Sequence, residues 1–544
     1  MLNKKCSFSG LLLPLFLLIF GCANRQPPGG GPRDHDPPKL LKSTPPNMTR
    51  FFKDKVIQLD FDEYFKLTNA YTEISMSPAP AKIPEYKTKG KSLVITLRDT
   101  LEKNTTYVIN FGKSIADVDE GNVLKNFTYV FSTGAHIDSL SISGRVINTQ
   151  TGEREKDAIV MLFTLKQDSL LFGKKKPTIF TSADSAGNFS LNNLHPDDYR
   201  IYALKQLTPT KIYDANKDLV AFSKKVIHLQ RDTSSIELKL FKARPDKFRM
   251  DIHRTDNDGK MFFMFNEPLA NPSVKIIYPP DFDQYKIAQF SKTKDSVTLF
   301  MRNMDYDSLR VQFLDKGKPI DTVALHKGRK EVFQRQLSFQ YNISNESKLK
   351  PGRRFMVTAN YPIQSFDPAL IVLKEDSNEV SNYTVVKDTA NPRNLFLDYR
   401  WKQRVNYTLT FNAGAVTDIY DDKNKFARKP FSADNPENYS LLTLTVSVPD
   451  SGKSYVVEVL NDKQQVLQSD VIHKKTVLTY KNYITGKYSV RVIYDTNNNG
   501  KWDSGNVKQK QQPENIWVDP DIIPLRPNWE QATPINIPKE PSTP

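Results

Sequence analysis

Apolar and polar residues alternate along much of the chain from residue 37 onward, and this pattern restricts the fold more than any other feature. The clearest runs are Ile57, Leu59 and Phe61; Leu93, Ile95 and Leu97; Tyr107, Ile109 and Phe111; and Phe127, Tyr129 and Phe131. A period of two residues places successive side chains on opposite faces of an extended chain, which predicts half-buried β-strands. No long segment of the sequence has a convincing helical period. The pattern therefore predicts an all-β protein made of tandem β-sandwich domains.

The first 22 residues have the features of a secretory signal. Lysines precede an apolar run that ends at Phe20, and Gly21 lies directly before Cys22. This arrangement is typical of exported proteins, and the run is shorter than the roughly 20 residues that span a bilayer. The segment from Ile19 to Cys22 resembles the lipobox of bacterial lipoproteins. The resemblance implies a signal peptide at 1–21 and a lipidated Cys22; the alternative is an ordinary signal peptide followed by a chance cysteine.

The cysteine content limits both the folding and the chemistry of the mature chain. The 544 residues include only two cysteines, Cys6 and Cys22, of which one would leave with the signal and the other would carry lipid. No disulfide can then stabilise the domains, and thiol catalysis and cysteine metal sites are excluded. Residues 22–36 are rich in proline and glycine, which predicts a flexible tether between the lipid and the first domain.

Residues 37–136 carry a series of motifs that resembles a known family. In order, the motifs are Asp36-Pro-Pro, Leu59-Asp-Phe-Asp-Glu63, Asn104-Thr-Thr-Tyr107, Ile115-Ala-Asp117 and Phe131-Ser-Thr-Gly134. Together they resemble the bacterial Ig-like domain known from S-layer proteins. The resemblance implies a structural and adhesive module without catalytic residues.

The remaining chain is interpreted as four further β-sandwiches. Residues 139–243 resemble the prealbumin-like modules, which include the carboxypeptidase regulatory domain, and 439–532 repeat that pattern because Tyr488–Ile493 mirrors Tyr199–Leu204. Two degenerate Ig-like domains are predicted at 246–330 and 331–438. In the second of these, Asn406–Phe411 is aligned with Asn104–Phe111 at an almost constant offset. Residues 533–544 contain several prolines and are predicted to be a disordered tail.

One polar loop in the last domain has the spacing of a calcium-binding loop. Its residues are Asp495, Asn497, Asn499, Gly500, Lys501 and Asp503. They match positions 1, 3, 5, 6 and 9 of a loop in which oxygen ligands surround the ion, and Lys501 lies at position 7. Position 12, normally a glutamate, is Asn506, so the site would be weak or completed by another residue. The alternative is a polar hairpin that binds no ion. Asp214-Ala-Asn216-Lys-Asp218 is a poorer match in the earlier domain.

Other catalytic signals are missing from the sequence. The seven histidines are scattered, and there is neither a Gly-x-Ser-x-Gly motif nor a phosphate-binding glycine loop. The formal charge of +16 is spread over interspersed residues, which argues against nucleic-acid binding.

Nearly the full mature chain resembles Bacteroidetes outer-membrane lipoproteins with Ig-like and prealbumin-like domains. We therefore expect a non-enzymatic, lipid-anchored protein on the periplasmic or surface face of the outer membrane, with no cofactor apart from the calcium candidate. It would act as a scaffold or as an accessory subunit of an outer-membrane protein or assembly complex. The alternative is a glycan-binding or adhesin lipoprotein that uses Trp502, Trp517 and Trp529; a hydrolase is disfavoured.

Overall fold

A computed structural model describes residues 34–541, except for 174, 246 and 329–331. The chain divides into two compact units, residues 1–138 and 139–544, and each is described by itself. The predicted signal peptide, the predicted lipidation site Cys22 and most of the predicted tether lie outside the described residues. In the part that is described, no helix is long and apolar enough to cross a membrane.

The first unit is a β-sandwich, called sandwich 1. Its strands are β1 Leu40–Thr44, β2 Val56–Phe61, β3 Phe65–Leu67, β4 Ser75–Ser77, β5 Glu85–Lys89, β6 Ser92–Thr96, β7 Thr106–Asn110, β8 Ile115–Asp117, β9 Val123–Leu124 and β10 Thr128–Ser132. They form sheets β1-β2-β6-β5, β10-β7-β4 and β3-β8-β9, with a short helix at Ala70–Glu73. The alternating residues of the sequence, among them Leu59, Ile95 and Ile109, are buried between the sheets.

The second unit begins with sandwich 2. Its strands are β11 Leu140–Asn148, β12 Ile159–Thr164, β13 Ile179–Ser182, β14 Asn188–Leu194, β15 Asp198–Lys205, β16 Leu219–Phe222, β17 Ile227–His228 and β18 Thr233–Leu240. One sheet has the order β14-β11-β18, and the other has β13-β12-β15-β16 with β17 also paired to β15. A 3₁₀ segment covers Leu165–Phe172. Strand β18 runs parallel to β11, whereas the other pairs are antiparallel.

Sandwiches 3 and 4 follow in the chain. Sandwich 3 consists of β19 Met250–Thr255, β20 Met261–Phe265, β21 Pro272–Tyr278, β22 Lys286–Phe290, β23 Ser296–Met301, β24 Ser308–Asp315 and β25 Lys318–His326. Sandwich 4 consists of β26 Phe339–Tyr341, β27 Lys348–Leu349, β28 Phe355–Ala359, β29 Ile363–Phe366, β30 Ile371–Glu375, β31 Asn378–Val380, β32 Thr384–Lys387, β33 Asn394–Asp398, β34 Asn406–Phe411, β35 Val416–Asp418 and β36 Ala427–Ala433. Short 3₁₀ turns lie at Pro280–Tyr285, Pro368–Leu370 and Pro436–Asn438.

Sandwich 5 completes the second unit. Its strands are β37 Tyr439–Ser447, β38 Ser454–Leu460, β39 Val466–Ile472, β40 Thr476–Ile484, β41 Gly486–Asp495, β42 Ile516–Val518, β43 Ile523–Leu525 and β44 Glu530–Asn536. The sheets are β40-β37-β44 and β39-β38-β41-β42, with β43 also paired to β41.

Strand order repeats within the chain in two patterns. Sheets β19-β20-β23-β22 of sandwich 3 and β26-β28-β33-β32 of sandwich 4 have the same connectivity as β1-β2-β6-β5 of sandwich 1. Sandwich 5 has the order of sandwich 2, including a parallel last strand, β44 beside β37. The sequence echoes between these segments therefore lie on equivalent strands.

A local hydrogen bond that occurs in both sandwich 1 and sandwich 4 defines which of their residues are equivalent. The Tyr107 hydroxyl accepts a bond from the backbone N–H of Glu102 at 2.8 Å, and the Tyr407 hydroxyl accepts one from Lys402 at 2.7 Å. Tyr407 is thus equivalent to Tyr107, whereas carrying the pairing of Asn406 with Asn104 forward without a gap would place Tyr407 opposite Thr105. The loop before this strand is two residues shorter in sandwich 4 than in sandwich 1. Apolar and polar residues do not alternate in a loop, so the sequence does not show where the two residues are missing.

The prediction of a disordered tail from Thr533 is wrong for the residues up to Ile537. Strand β44 places Pro534 opposite Thr445, and Ile535 and Ile537 are buried in the core of sandwich 5. Proline lacks a backbone donor, but an edge strand tolerates it because one side of the strand needs no ladder bond. The burial of Ile535 and Ile537 therefore stabilises a strand in a segment whose proline content predicts disorder.

Candidate functional site

The predicted calcium loop follows β41 at the end of sandwich 5. Asp495 is 3% exposed and lies opposite Ser454 on β38. One of its carboxylate oxygens accepts bonds from the Ser454 hydroxyl at 2.7 Å and the Gly500 N–H at 2.9 Å, and the other accepts the Asn499 N–H at 3.0 Å. Burial opposes its ionisation, but these donors outweigh burial and lower the pKa of Asp495.

The other predicted ligands lie in the same loop. The side-chain amides of Asn497 and Asn499 both donate to Oδ2 of Asp503, the second at 2.6 Å. The backbone N–H of Lys501 donates to Oδ1 of Asn499 at 3.0 Å. The loop is therefore closed by internal hydrogen bonds, with both amide oxygens directed at backbone N–H groups.

Glu514 is a further acid at this loop that the sequence analysis does not identify. Its carboxylate accepts bonds from the N–H and hydroxyl of Thr496, both at 2.8 Å, and from the Asp503 N–H at 3.0 Å. Burial raises the pKa of Glu514. Glu514 lies eight residues beyond Asn506, the residue at position 12, so the fixed spacing of a calcium loop could not identify it.

Calcium binding by this loop remains a prediction. Its donor set consists of carboxylate and amide oxygens, which suit Ca²⁺, but among the described residues no three His, Cys, Asp or Glu side chains are arranged to hold a metal ion. Binding would require Asn497 and Asn499 to exchange their bonds to Asp503 for contacts with the ion.

The same loop also joins sandwich 5 to sandwich 2. Arg244 forms an ion pair with Asp503, and the Ser504 hydroxyl donates to the Lys242 carbonyl. Val507 is buried in an apolar cluster with Phe241. The loop therefore contributes polar and apolar contacts to this interface.

A second polar cluster lies where sandwiches 3 and 4 meet. Asp418 is fully buried, and its Oδ1 accepts bonds from the N–H groups of Tyr420 at 2.8 Å and Asp422 at 3.1 Å. Its Oδ2 has no hydrogen-bond partner in the described structure. The Arg335 guanidinium lies 4.2 Å from the Tyr420 ring centroid, and its Nε is 3.5 Å from Asp422.

The equivalent aspartate of sandwich 1 has a different environment. Asp117 accepts backbone bonds on both oxygens, from Glu120 and Gly121 at 2.7 Å and from Asn122 at 2.8 Å. These bonds outweigh burial and lower the pKa of Asp117, whereas burial raises the pKa of Asp418 to about 6. The Val-Thr-Asp and Ile-Ala-Asp motifs were visible in the sequence, but their different hydrogen bonding was not.

Other charged and titratable groups lie at the same junction. The Tyr361 hydroxyl donates to Asp258 at 3.0 Å, and Lys260 pairs with Asp258 at 2.8 Å. Burial is the main cause of the high pKa of Tyr361 and Tyr420. Unlike the tyrosines, Asp418 has a pKa of about 6, near neutrality.

The three tryptophans of the glycan hypothesis have different surroundings. Trp502 packs against the cluster shared by sandwiches 2 and 5, and its indole N–H donates to the Glu514 carbonyl at 3.0 Å. Trp517 lines a cavity of about 720 Å³ between these sandwiches. Trp529 is 52% exposed and lies beside Arg526.

Comparisons with known proteins bear mainly on the first unit. Residues 34–133 match the model of the bacterial Ig-like domain. No curated protein matches the chain.

Several solved structures are similar to longer parts of the chain, but only weakly. The Bacillus anthracis TIE protein has 9% identity and a TM-score of 0.14, with 94% of this chain and 75% of that chain covered. BcpA, the major pilin subunit of Bacillus cereus, has 11% identity and a TM-score of 0.15, with 74% and 99% covered. The S-layer protein SbsC has 11% identity and a TM-score of 0.13, with 84% and 65% covered. With identities and TM-scores this low, no function can be inferred for this chain from these proteins.

The calcium hypothesis predicts an ion-dependent change in stability. We expect the melting temperature of the full chain to rise with CaCl₂ relative to chelator, because an ion bound only by the folded loop stabilises the folded state. Asp495→Ala should abolish the difference, whereas Asp214→Ala in the poorer loop should retain it. Identical melting curves in calcium and chelator would exclude the site.

Asp418 predicts a specific pH dependence of stability. Because its folded pKa of about 6 exceeds the ordinary 3.8, its favourable contribution is complete below pH 3.8 and is lost as the pH rises through 6. Asp418→Asn should therefore become more stable than wild type between pH 4 and 7, by up to about 3 kcal/mol. Chemical unfolding monitored across this range tests it, with Asp421→Asn as an exposed control that should show no such trend.

Proposed function

We propose that this protein is a non-catalytic, lipid-anchored protein of the outer membrane that holds tandem β-sandwiches in the cell envelope and docks an envelope protein. The lipobox-like segment ending at Cys22 supports the anchor, and the proline- and glycine-rich residues after it would supply reach. The described residues offer polar clusters that close loops and join sandwiches, and this favours a structural role.

The observation that carries the docking role is a pair of strand edges on sandwich 5. Strands β39 and β40 are consecutive in the chain, and each ends its sheet. Their exposed apolar side chains are Val466, Leu467 and Val471 on β39 and Val477 and Ile484 on β40. The Tyr480 hydroxyl of β40 donates to Asp470 of β39 at 2.7 Å, so the two edges are held together.

Open edges of this kind can pair with an extended segment of another protein. A strand at the end of a sheet presents backbone N–H and carbonyl groups without a ladder partner, and added strands gain main-chain hydrogen bonds there. The exposed valines and leucine of β39 would give such a segment an apolar contact. The occupant we propose is an extended strand of an outer-membrane protein or of its assembly machinery.

Lipid attachment can be tested directly. Cells expressing the protein should incorporate labelled palmitate into it, and Cys22→Ser should abolish the label and release the chain from membranes, because each buried methylene contributes about 0.8 kcal/mol to membrane affinity. A Cys22→Ser protein that remains as firmly membrane-bound as the wild type would contradict the anchor.

Docking can be tested by mild-detergent pull-down with mass spectrometry. We expect a stoichiometric envelope protein to be recovered, and Leu467→Lys to reduce its recovery because a charge disfavours strand addition at this edge. Leu207→Lys is the matched control, since Leu207 is fully exposed in a loop. Equal recovery with Leu467→Lys and wild type would exclude the β39 edge.

A glycan-binding or adhesin lipoprotein is the second candidate. The cavity lined by Trp517 favours it, since an indole face suits a sugar ring and Asp462 and Asp519 line the same cavity. The pull-down separates the two candidates, because an adhesin would recover no stoichiometric membrane partner.

A further inference from the structure

Sandwich 4 contains a second cavity, of about 380 Å³, beside its contact with sandwich 5. The turn between β27 and β28 forms one wall and contributes Lys350 and Arg353. The opposite wall includes Trp401 and Gln403, which follow β33. Asn482 of β40 donates to the Pro351 carbonyl at 2.9 Å, which fixes the turn against sandwich 5.

The two acids that line this cavity are already satisfied by their own partners. The Asp398 carboxylate accepts hydrogen bonds from Nε and Nη2 of Arg354, at 2.7 and 2.6 Å. Asp434 accepts bonds from the Asn438 amide and the Tyr439 hydroxyl, both at 2.8 Å. Oδ1 of Asp434 also lies 3.9 Å from the Lys348 ammonium, so each of the two carboxylates lies closer to another cation than to Lys350 or Arg353.

Lys350 and Arg353, by contrast, have no carboxylate partner in the part of the chain that the structure describes. The Lys350 ammonium lies 5.7 Å from the Tyr439 ring centroid. Burial, followed by the neighbouring positive charge of Arg353, lowers the pKa of Lys350. Lys350 is half-buried and Arg353 is exposed on the same turn; their like charges repel one another, and an anion between them would remove this cost.

The remaining polar groups on the opposite wall add further donors. Trp401, with its indole N–H, and the exposed Gln403, with its side-chain amide, line this wall. Trp401 is held in place by aromatic contacts with Tyr399, Tyr407 and Phe431. The cavity thus combines two unpaired cations with a fixed neutral donor.

We propose that this cavity binds a phosphate group carried by a larger polar molecule. A phosphate dianion matches the two charges, whereas one carboxylate would neutralise only one of them, and guanidinium and ammonium groups are the usual partners of phosphate. The volume far exceeds that of one water, about 30 Å³, so the site has room for the group that carries the phosphate. The proposal does not depend on the lipid anchor or on the docking edges.

Isothermal titration of the full chain in mild detergent tests this site. The probes are glucose 1-phosphate, glucose and inorganic phosphate. We expect saturable binding of the sugar phosphate, competition by inorganic phosphate and no binding of glucose.

Lys350→Gln and Arg353→Gln should each weaken binding of glucose 1-phosphate about tenfold, or about 1.4 kcal/mol. Lys425→Gln, which removes an exposed charge from the same sandwich, should leave binding unchanged. Arg353 lies on an exposed turn, so its variant should keep the wild-type melting curve.

A second set of titrations distinguishes a lipid headgroup from a soluble phosphorylated ligand. Vesicles of phosphatidylcholine with or without phosphatidic acid are used as competitors of the sugar phosphate. Competition only by vesicles with phosphatidic acid would support a lipid headgroup, and absence of competition would support a soluble phosphorylated ligand. The proposal is overturned if neither phosphate probe binds more tightly than glucose, or if Lys425→Gln weakens binding as much as Arg353→Gln.

Discussion

Burial of alternate side chains between two sheets is the interaction on which every part of this protein depends. The only cysteines lie within the first 22 residues, so no covalent cross-link supports the described sandwiches. Each must bury enough apolar surface to offset the conformational entropy of its chain. Aromatic residues contribute much of this burial; in sandwich 4, for example, Phe355, Tyr407 and Phe431 pack together with ring centroids 4.4 to 5.4 Å apart where they touch.

Within the second unit these cores are not independent. Phe300 of sandwich 3 is buried in the core of sandwich 4, and Val507 of sandwich 5 packs with Phe241 of sandwich 2. Sandwiches 2 and 5 are distant in sequence, yet they share an apolar cluster and the Arg244–Asp503 ion pair. An interface with shared core residues restricts relative motion more than a flexible linker would.

Sequence alone predicts most of the all-β architecture because alternation is a local property. The strands around Leu59, Ile95 and Ile109 follow directly from it. The register of sandwich 4 fails at Tyr407 because the preceding loop carries no periodicity, and the tail prediction fails because burial of Ile535 depends on β37, almost a hundred residues earlier. Both the register at Tyr407 and the burial of Ile535 depend on pairing between strands, and amino-acid composition contains no information about this pairing.

The candidate sites were harder to predict for a related reason. Asp117 and Asp418 occupy equivalent positions in two sandwiches, yet one is saturated by its own loop and the other faces a junction between domains. Glu514 joins the Asp495 loop from a separate segment, and Lys350 and Arg353 are recognisable only because Asp398 and Asp434 are occupied elsewhere. In each case the chemistry depends on which charges remain unpaired after folding. In this chain, therefore, sequence motifs locate the Asp495 and Asp418 loops but not the Lys350–Arg353 turn, and the partners of the charged groups in all three depend on contacts that form only in the folded chain.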